Sequence, residues 1–220
     1  MSEIVSAADA VAGIPDGASV MIGDFMEIGS PPRLVDEMML QGQKNLTVIT
    51  NDTASPGVGV SKLIEADRVV KVITSHISTN SIMQKLMIGG TVDVDLVPRG
   101  TLVERIRAAG YGLGDVLTST GVGTLAAEGR RTIELDGKTY LIALPLKADF
   151  ALVRAKTSDY RGNLTYSLTA RNFNPVMAMA AETVIAEAKS IVPTGSLAPD
   201  VIVTPHVVVD YLFAKELNRE

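Results

Sequence analysis

Side chains that could bind or polarise a small substrate follow four short apolar runs, each where a strand would end. They are two carboxylates, an amide, an imidazole and a guanidinium: Asp24, Asp52, Asn51, His76 and Arg99. Such groups transfer protons, bind carboxylates or stabilise an oxyanion. The carboxyl ends of the strands form the ligand crevice of an open parallel sheet. A single strand end is polar simply because it reaches water, but five such residues at one edge predict a site.

A loop bounded by two glycines joins the first of these strands to a helix. It comprises Gly23, Asp24, Phe25, Met26, Glu27, Ile28 and Gly29. Pro31 and Pro32 follow, and proline is favoured in the first turn of a helix because its missing N–H would be unbonded there. Backbone N–H groups and the helix dipole make such a junction a site for anions, and the N–H groups can stabilise an oxyanion. The alternative is an ordinary strand-to-helix connection.

The elements that would position these residues follow from the apolar patterns. Strands are predicted over residues 20–22, 46–50, 69–73, 92–97, 150–153 and 183–185. Helices are predicted over residues 7–12, 34–40, 102–109 and 177–181, with Thr101 as the N-cap of the third. Asp136 and Gly137 predict a hairpin turn between strands 132–135 and 138–143. Continuous apolar runs are typical of strands covered on both faces. We therefore predict one α/β domain, residues 1–220, with an open, mostly parallel sheet flanked by helices and an inserted β-hairpin.

The composition excludes several classes of protein. The chain has 220 residues, of which 46% are hydrophobic, and lacks the run of about 18 apolar residues that spans a membrane. With a net charge of −5 and 4% aromatic residues, it has neither a broad basic face nor a base-stacking platform for nucleic acid. It has no cysteine and 2 histidines, so no metal site is expected. The acidic N-terminus shows no signal-peptide pattern, and a cytoplasmic protein is expected.

Known catalytic and phosphate-binding motifs are weak or absent. Residues 136–139 resemble the end of a phosphate-binding loop but lie in the predicted hairpin, and the glycines of residues 110–114 follow a helix rather than a strand. There is no Gly-x-Ser-x-Gly nucleophile elbow, and neither His76 nor His206 is spaced to form a Ser-His-Asp triad. The chain by itself therefore shows no nucleophile.

Several segments, in one order along nearly the whole chain, carry a family resemblance. They are DGASVMIGDFMEIGSPP (residues 16–32), LVPRGTLVERIRA (96–108), TSTGVGT (118–124), GNLTY (162–166) and ARNFNP (170–175). Together they resemble the family I coenzyme A transferases, and within them the small alpha subunit of the acetoacetate or butyrate:acetate type. The open α/β sheet of that family agrees with the fold predicted above.

The resemblance implies an enzyme of two chains, a heterodimer or an α2β2 heterotetramer. In such transferases a glutamate attacks the acyl-CoA thioester and carries CoA as a glutamyl thioester. That glutamate lies in a Glu-Asn-Gly motif of the beta subunit, and this chain has no such motif, so its catalytic residue is expected in a partner. CoA would be a substrate, with no permanently bound cofactor. The loop of residues 23–29 would contact CoA, and Asn51, His76, Arg99 and Gly100 would line the substrate pocket.

Among the residues that depart from the family pattern, three place a charge at the expected site. Asp24 replaces the second glycine of the loop, Glu27 adds another carboxylate, and Arg99 stands where glutamine is usual. Carboxylates close to a polyanionic substrate are unfavourable unless they point away or are paired with cations. Arg99 would either pair with Asp24 or recruit a second carboxylate on the substrate.

Two alternatives keep the fold and change the function. Water could replace the acceptor carboxylate, which would make the protein a CoA-thioester or C–C bond hydrolase. The chain could also be a non-catalytic binding subunit. The leading interpretation remains a transferase acting on short-chain 3-oxoacids or simple fatty acids.

Overall fold

The structure, a computed structural model, describes residues 2–214. The helices are α1 (Ala7–Ala12), α2 (Pro32–Gln41), α3 (Ser61–Glu65), α4 (Ser81–Ile88), α5 (Arg99–Gly110) and α6 (Asn174–Met179). The strands are β1 (Glu3–Ile4), β2 (Ser19–Ile22), β3 (Leu46–Ile49), β4 (Val69–Thr74), β5 (Asp93–Leu96), β6 (Val116–Thr118), β7 (Thr132–Leu135), β8 (Lys138–Ala143), β9 (Ala148–Asp159), β10 (Leu164–Thr165), β11 (Ala181–Val192) and β12 (Tyr211–Ala214).

Eight strands form one parallel sheet in the spatial order β1-β12-β11-β9-β2-β3-β4-β5. The short β10 pairs with β9 in the antiparallel sense. Parallel neighbours need crossover connections. Between β2 and β5 each of the three connections contains a helix, α2, α3 or α4. The predicted open, mostly parallel sheet flanked by helices is confirmed.

Two hydrophobic cores cover the two faces of the sheet, which explains the continuous apolar runs. Val20 and Ile22 of β2 pack into a core with α1 to α4, whereas Met21 between them packs into the core beneath α5 and α6. All three side chains are fully buried. A strand covered on both faces has no position that favours a polar side chain.

The predicted hairpin is confirmed and forms part of a second, three-stranded antiparallel sheet in the order β6-β8-β7. Its turn has Asp136 at φ 50° and Gly137 at φ 71°, as a two-residue hairpin requires. None of the helices in residues 2–214 is both long and apolar enough to cross a membrane. That residues 1–220 form a single domain stays a prediction, and residue 1 and residues 215–220 lie outside the described part.

Several predicted boundaries were wrong. Helix α5 begins at Arg99, directly after Pro98, so Thr101 is a buried helical residue and not the N-cap. The predicted strands 150–153 and 183–185 are the centres of β9 and β11, each of 12 residues. Helix α4 has no predicted counterpart, although Asn80 caps it by accepting hydrogen bonds from two backbone N–H groups.

Helices α5 and α6 meet at a glycine, and this contact gives a stability prediction. A Cβ atom on Gly110 would lie 2.7 Å from Cβ of Met179 and 2.9 Å from its carbonyl carbon. We expect Gly110→Ala to lower the free energy of unfolding by about 1–3 kcal/mol, because the backbones must separate. Gly114→Ala is the control, since no atom of the described residues beyond its chain neighbours lies within 4 Å of its added Cβ. Urea unfolding measures both, and equal midpoints would contradict the close packing.

Candidate active site

The loop after β2 is a two-residue β-hairpin. Phe25 and Ile28 exchange two backbone hydrogen bonds, each 3.1 Å long. Met26 (φ 50°) and Glu27 (φ 70°) between them both have left-handed backbone conformations. Such turns favour Asn and Gly, and a left-handed conformation costs other residues of order 1–2 kcal/mol each. The turn therefore needs compensating contacts.

Two buried carboxyl groups supply those contacts. Asp52 Oδ2 accepts a 2.7 Å hydrogen bond from the N–H of Met26, and Asp24 Oδ1 accepts a 2.9 Å bond from the N–H of Glu27. With the Phe25 and Ile28 pair, all four N–H groups of residues 25–28 are bonded within the chain. The suggestion that loop N–H groups stabilise an oxyanion is therefore wrong for these four in this conformation.

Gly23 and Gly29 are required because a second segment packs directly against the loop. A Cβ on Gly23 would lie 1.9 Å from Oδ1 of Asn174. Gly29 has φ 85°, and its Cβ would meet the side chains of Asn172 and Asn174. Asn172 Nδ2 donates to the carbonyl of Ile28 at 2.8 Å, and Asn174 Nδ2 to that of Gly29 at 3.1 Å. These asparagines were missed as site residues, although the quoted segment 170–175 contains them.

The buried carboxyl group of Asp24 has a raised pKa. Burial of the side chain and the nearby charge of Asp52 raise its pKa to about 8. The hydrogen bond from the N–H of Glu27 acts in the opposite direction and lowers the pKa. Its second oxygen, Oδ2, is buried and has no hydrogen-bond partner within residues 2–214. Glu27 is held by a hydrogen bond, since its Oε1 accepts the N–H of Ser55 at 3.1 Å. The two extra carboxylates of the loop thus repel an anionic substrate less than the sequence alone indicates.

Arg99 stacks on the loop. Its guanidinium carbon lies 4.6 Å from the ring centroid of Phe25. Within residues 2–214 no ion pair joins it to Asp24, so the first of the two roles considered for Arg99 is wrong for this structure. A cavity of about 460 Å³ opens beside the stack. Its walls include Phe25, Arg99, Gly100, Val103, Asn172 and Phe173.

Asn51 and His76 lie at the same sheet edge but do not line this cavity. Asn51 is buried behind the turn, where its Nδ2 donates to Asp52 Oδ2 at 2.8 Å and its Oδ1 accepts from Ser75 Oγ at 3.0 Å. His76 Nε2 lies 2.9 Å from Ser78 Oγ. In this structure Asn51 orients the carboxylate that holds the turn.

A second cavity, of about 300 Å³, lies on the other side of the loop. Glu27, Ile28 and Gly29 line it, together with three cations that the sequence reasoning missed: Arg154, Lys156 and Lys189. These cations lie in the parts of β9 and β11 beyond the predicted strands. No group of three His, Asp or Glu side chains in residues 2–214 is placed to hold a metal ion.

Polar and charged side chains gathered at the carboxyl edge of an open parallel sheet are typical of α/β enzymes that bind substrate there. The chain belongs to the coenzyme A transferase family, whose sequence profile matches residues 4–215. It is 49% identical over 218 residues to the acetate CoA-transferase subunit alpha of Escherichia coli K12, covering 99% of both chains. It is 46% identical over 197 residues to the acetoacetyl-CoA:acetate/butyrate CoA transferase alpha subunit of Clostridium acetobutylicum, covering 90% of both. The predicted family is confirmed.

Solved structures share the fold. An acyl-CoA transferase of Escherichia coli O157:H7, in a thioester complex with CoA, has a TM-score of 0.85 at 21% identity over 97% of this chain, which spans about half (47%) of that longer one. Glutaconate coenzyme A-transferase of Acidaminococcus fermentans has a TM-score of 0.84 at 16% identity, covering 97% of this chain and 75% of its own. A variant of the decarboxylase AibA/AibB has a TM-score of 0.82 at 26% identity, with 97% and 82% covered.

The raised pKa of Asp24 predicts how stability depends on pH. Between the ordinary value of 3.8 and about 8, the folded chain keeps a proton that the unfolded chain releases. The free energy of unfolding therefore falls as the pH rises through this range. The side chain of the Asp24→Asn variant stays neutral and keeps an acceptor for the N–H of Glu27. We therefore expect the free energy of unfolding of this variant to exceed that of the wild type by roughly 1–3 kcal/mol at pH 8 and by much less at pH 5. Urea unfolding of the purified protein at both pH values measures this.

Asp149→Asn is the matched control. Hydrogen bonds from the backbone and side chain of Ser19 lower the pKa of Asp149. Its stabilising contribution is therefore fully present above the unfolded pKa, and this variant should lose stability by the same amount at pH 5 and pH 8. An Asp24→Asn protein that is less stable than the wild type at pH 8 would contradict a buried, protonated Asp24.

Proposed function

We propose that this chain is the alpha subunit of a two-chain enzyme that moves CoA between an acyl-CoA and a short-chain carboxylate or 3-oxoacid. The observation that carries the proposal is 49% identity over 99% of both chains to a relative named as the alpha subunit of an acetate CoA-transferase. The beta subunit would provide the glutamate that becomes the glutamyl-CoA thioester. The assembly would be a heterodimer or an α2β2 heterotetramer, and a cytoplasmic location stays a prediction.

The chain would contribute the pocket in which the carboxylates are bound. Arg99 presents a guanidinium at the wall of the 460 Å³ cavity, held in place against Phe25. A guanidinium binds a carboxylate through two parallel hydrogen bonds. The hydrogen-bonded hairpin of residues 25–28 contributes Phe25 to the same wall, and Arg99 and Gly100 are proposed to contact the acid substrate. The loop of residues 23–29 is proposed to contact CoA, and Asn51 and His76 remain proposed pocket residues.

Reconstitution tests this proposal. The chain is co-expressed with a partner that carries Glu-Asn-Gly, and CoA exchange between acetyl-CoA and butyrate or acetoacetate is followed. We expect exchange that needs both chains and stops when the partner's glutamate is changed to Ala. Free CoA released without an acceptor acid would favour the hydrolase alternative. No turnover of any acyl-CoA would leave the non-catalytic interpretation.

Arg99→Gln tests the role of the guanidinium in the complex. Loss of a charged contact to the acid should raise the KM for the acid about tenfold, which is equivalent to about 1.4 kcal/mol. The KM for acyl-CoA should stay the same. If Arg99 recruits a second carboxylate, the increase is larger for a dicarboxylate than for acetate. Arg107→Gln is the control, because Arg107 lies on the same helix in an exposed pair with Glu104. Identical KM values for the two variants would contradict the assignment.

A further inference from the structure

A pocket of about 240 Å³ lies between α5 and the small antiparallel sheet, and three arginines line it. Its walls, which define the arginine pocket, are Arg105, Gly129, Arg130, Arg131, Ile142 and Leu144. None of these residues contributes to the 460 Å³ cavity beside Arg99 or to the 300 Å³ cavity beside Arg154. The arginine pocket is therefore separate from the candidate active site.

The first of these arginines is held inside the protein. Arg105 lies in the middle of α5, and 9% of it is exposed. Its Nε donates a 2.8 Å hydrogen bond to the carbonyl of Leu144, directly after β8. Burial lowers the pKa of Arg105, the charge of Asp95 raises it, and the charge of Arg130 lowers it again. Because a guanidinium group stays protonated in proteins, this buried cation needs compensating negative charge.

One carboxylate serves all three guanidinium groups. Asp95 Oδ1 lies 2.9 Å from Arg130 Nη2, and Asp95 Oδ2 lies 3.7 Å from Arg105 Nη1. The second distance is too long for a hydrogen bond, and Arg105 Nη1 has no hydrogen-bond partner within residues 2–214. Arg131 takes part in no ion pair within the same residues. Three cations and one anion leave an excess of two positive charges.

The other acidic residues close by in the sequence do not remove this excess. Asp93 is paired with Lys71, and Glu104 is paired with Arg107. Glu128 is exposed and forms no ion pair in the described part of the chain. The concentration of positive charge is local, since the whole chain has a net charge of −5.

The remaining walls indicate which anion fits. A guanidinium group binds a carboxylate or a phosphate through two parallel hydrogen bonds, and two excess charges match a dianion. Ile142, whose N–H donates to the carbonyl of Arg131 at 2.9 Å, and Leu144 add apolar surface to the pocket. Apolar surface packs against a hydrocarbon chain, whereas phosphate is polar on every side. A short dicarboxylate therefore matches both kinds of wall.

We propose that Arg105, Arg130 and Arg131 form a binding site for a short dicarboxylate, apart from the candidate active site. This inference does not rest on the proposed function. The arginines come from α5 and from the segment before β7, so a bound dicarboxylate connects the helix to the small sheet. A ligand that binds the folded state alone stabilises it by mass action.

Calorimetric titration of the purified protein with succinate tests the site. We expect Arg131→Gln to weaken the Kd for succinate about tenfold, because one charged contact is lost. This arginine is chosen because its replacement leaves both ion pairs of Asp95 in place. Acetate and phosphate should bind more weakly than succinate. Succinate should also raise the Tm of the wild type more than that of the variant.

Arg107→Gln is the matched control, because it removes the same charge from an exposed arginine of α5 that is paired with Glu104. Equal Kd values for succinate in the Arg131 and Arg107 variants, or no binding of succinate by the wild type, would overturn the site. So would a Kd weakened by Arg99→Gln but not by Arg131→Gln, since the anion would then lie in the 460 Å³ cavity. Phosphate binding tighter than succinate would overturn the choice of a dicarboxylate.

Discussion

The carboxyl edge of the sheet depends on two buried carboxyl groups that hold a left-handed turn. Asp52 and Asp24 accept the N–H groups of Met26 and Glu27, the two residues whose backbone is strained. Without these bonds, a turn lacking Asn and Gly would have no compensation for its conformation. Because the turn forms a wall of both cavities, the same two bonds define the shape of each. The raised pKa of Asp24, caused by its burial and by the charge of Asp52, favours the neutral form and so reduces the repulsion between the two groups.

The parallel sheet brings these groups together. Asp24 follows β2 and Asp52 follows β3, and since these strands are parallel neighbours, their carboxyl ends meet at one edge. Asn172 and Asn174, on the segment before α6, fix the other side of the loop through its carbonyl groups. The backbone of the loop is thus bonded on both sides. A rigid wall positions a substrate more accurately than a mobile loop does.

Much of the fold follows from local pattern, and much of the site does not. The apolar runs predicted the centres of the strands because burial on both faces demands them, and the two loop glycines were identifiable. The ends of β9 and β11 were missed because a strand continues through Arg154 or Lys189 wherever a neighbour supplies hydrogen bonds. Arg99 stacks on Phe25, and Asn174 donates a hydrogen bond to the carbonyl of Gly29. Both contacts join residues far apart in the chain, and no local pattern encodes them. The Thr101 cap failed because the helix already begins at Arg99, directly after Pro98.

The central position of β9 in the sheet also affects how the chain folds during synthesis. Strands β2 to β5 are made first and can pair among themselves, but the free edge of β2 is covered only when β9 emerges. Until then the nascent chain exposes an unpaired apolar strand, the kind of surface on which chaperones act and aggregates form. Asn174, which binds the carbonyl of Gly29, is synthesised later than β9. Ribosomes add roughly 5–20 residues per second, so this edge of the sheet is completed only about 8–30 seconds after its first strand.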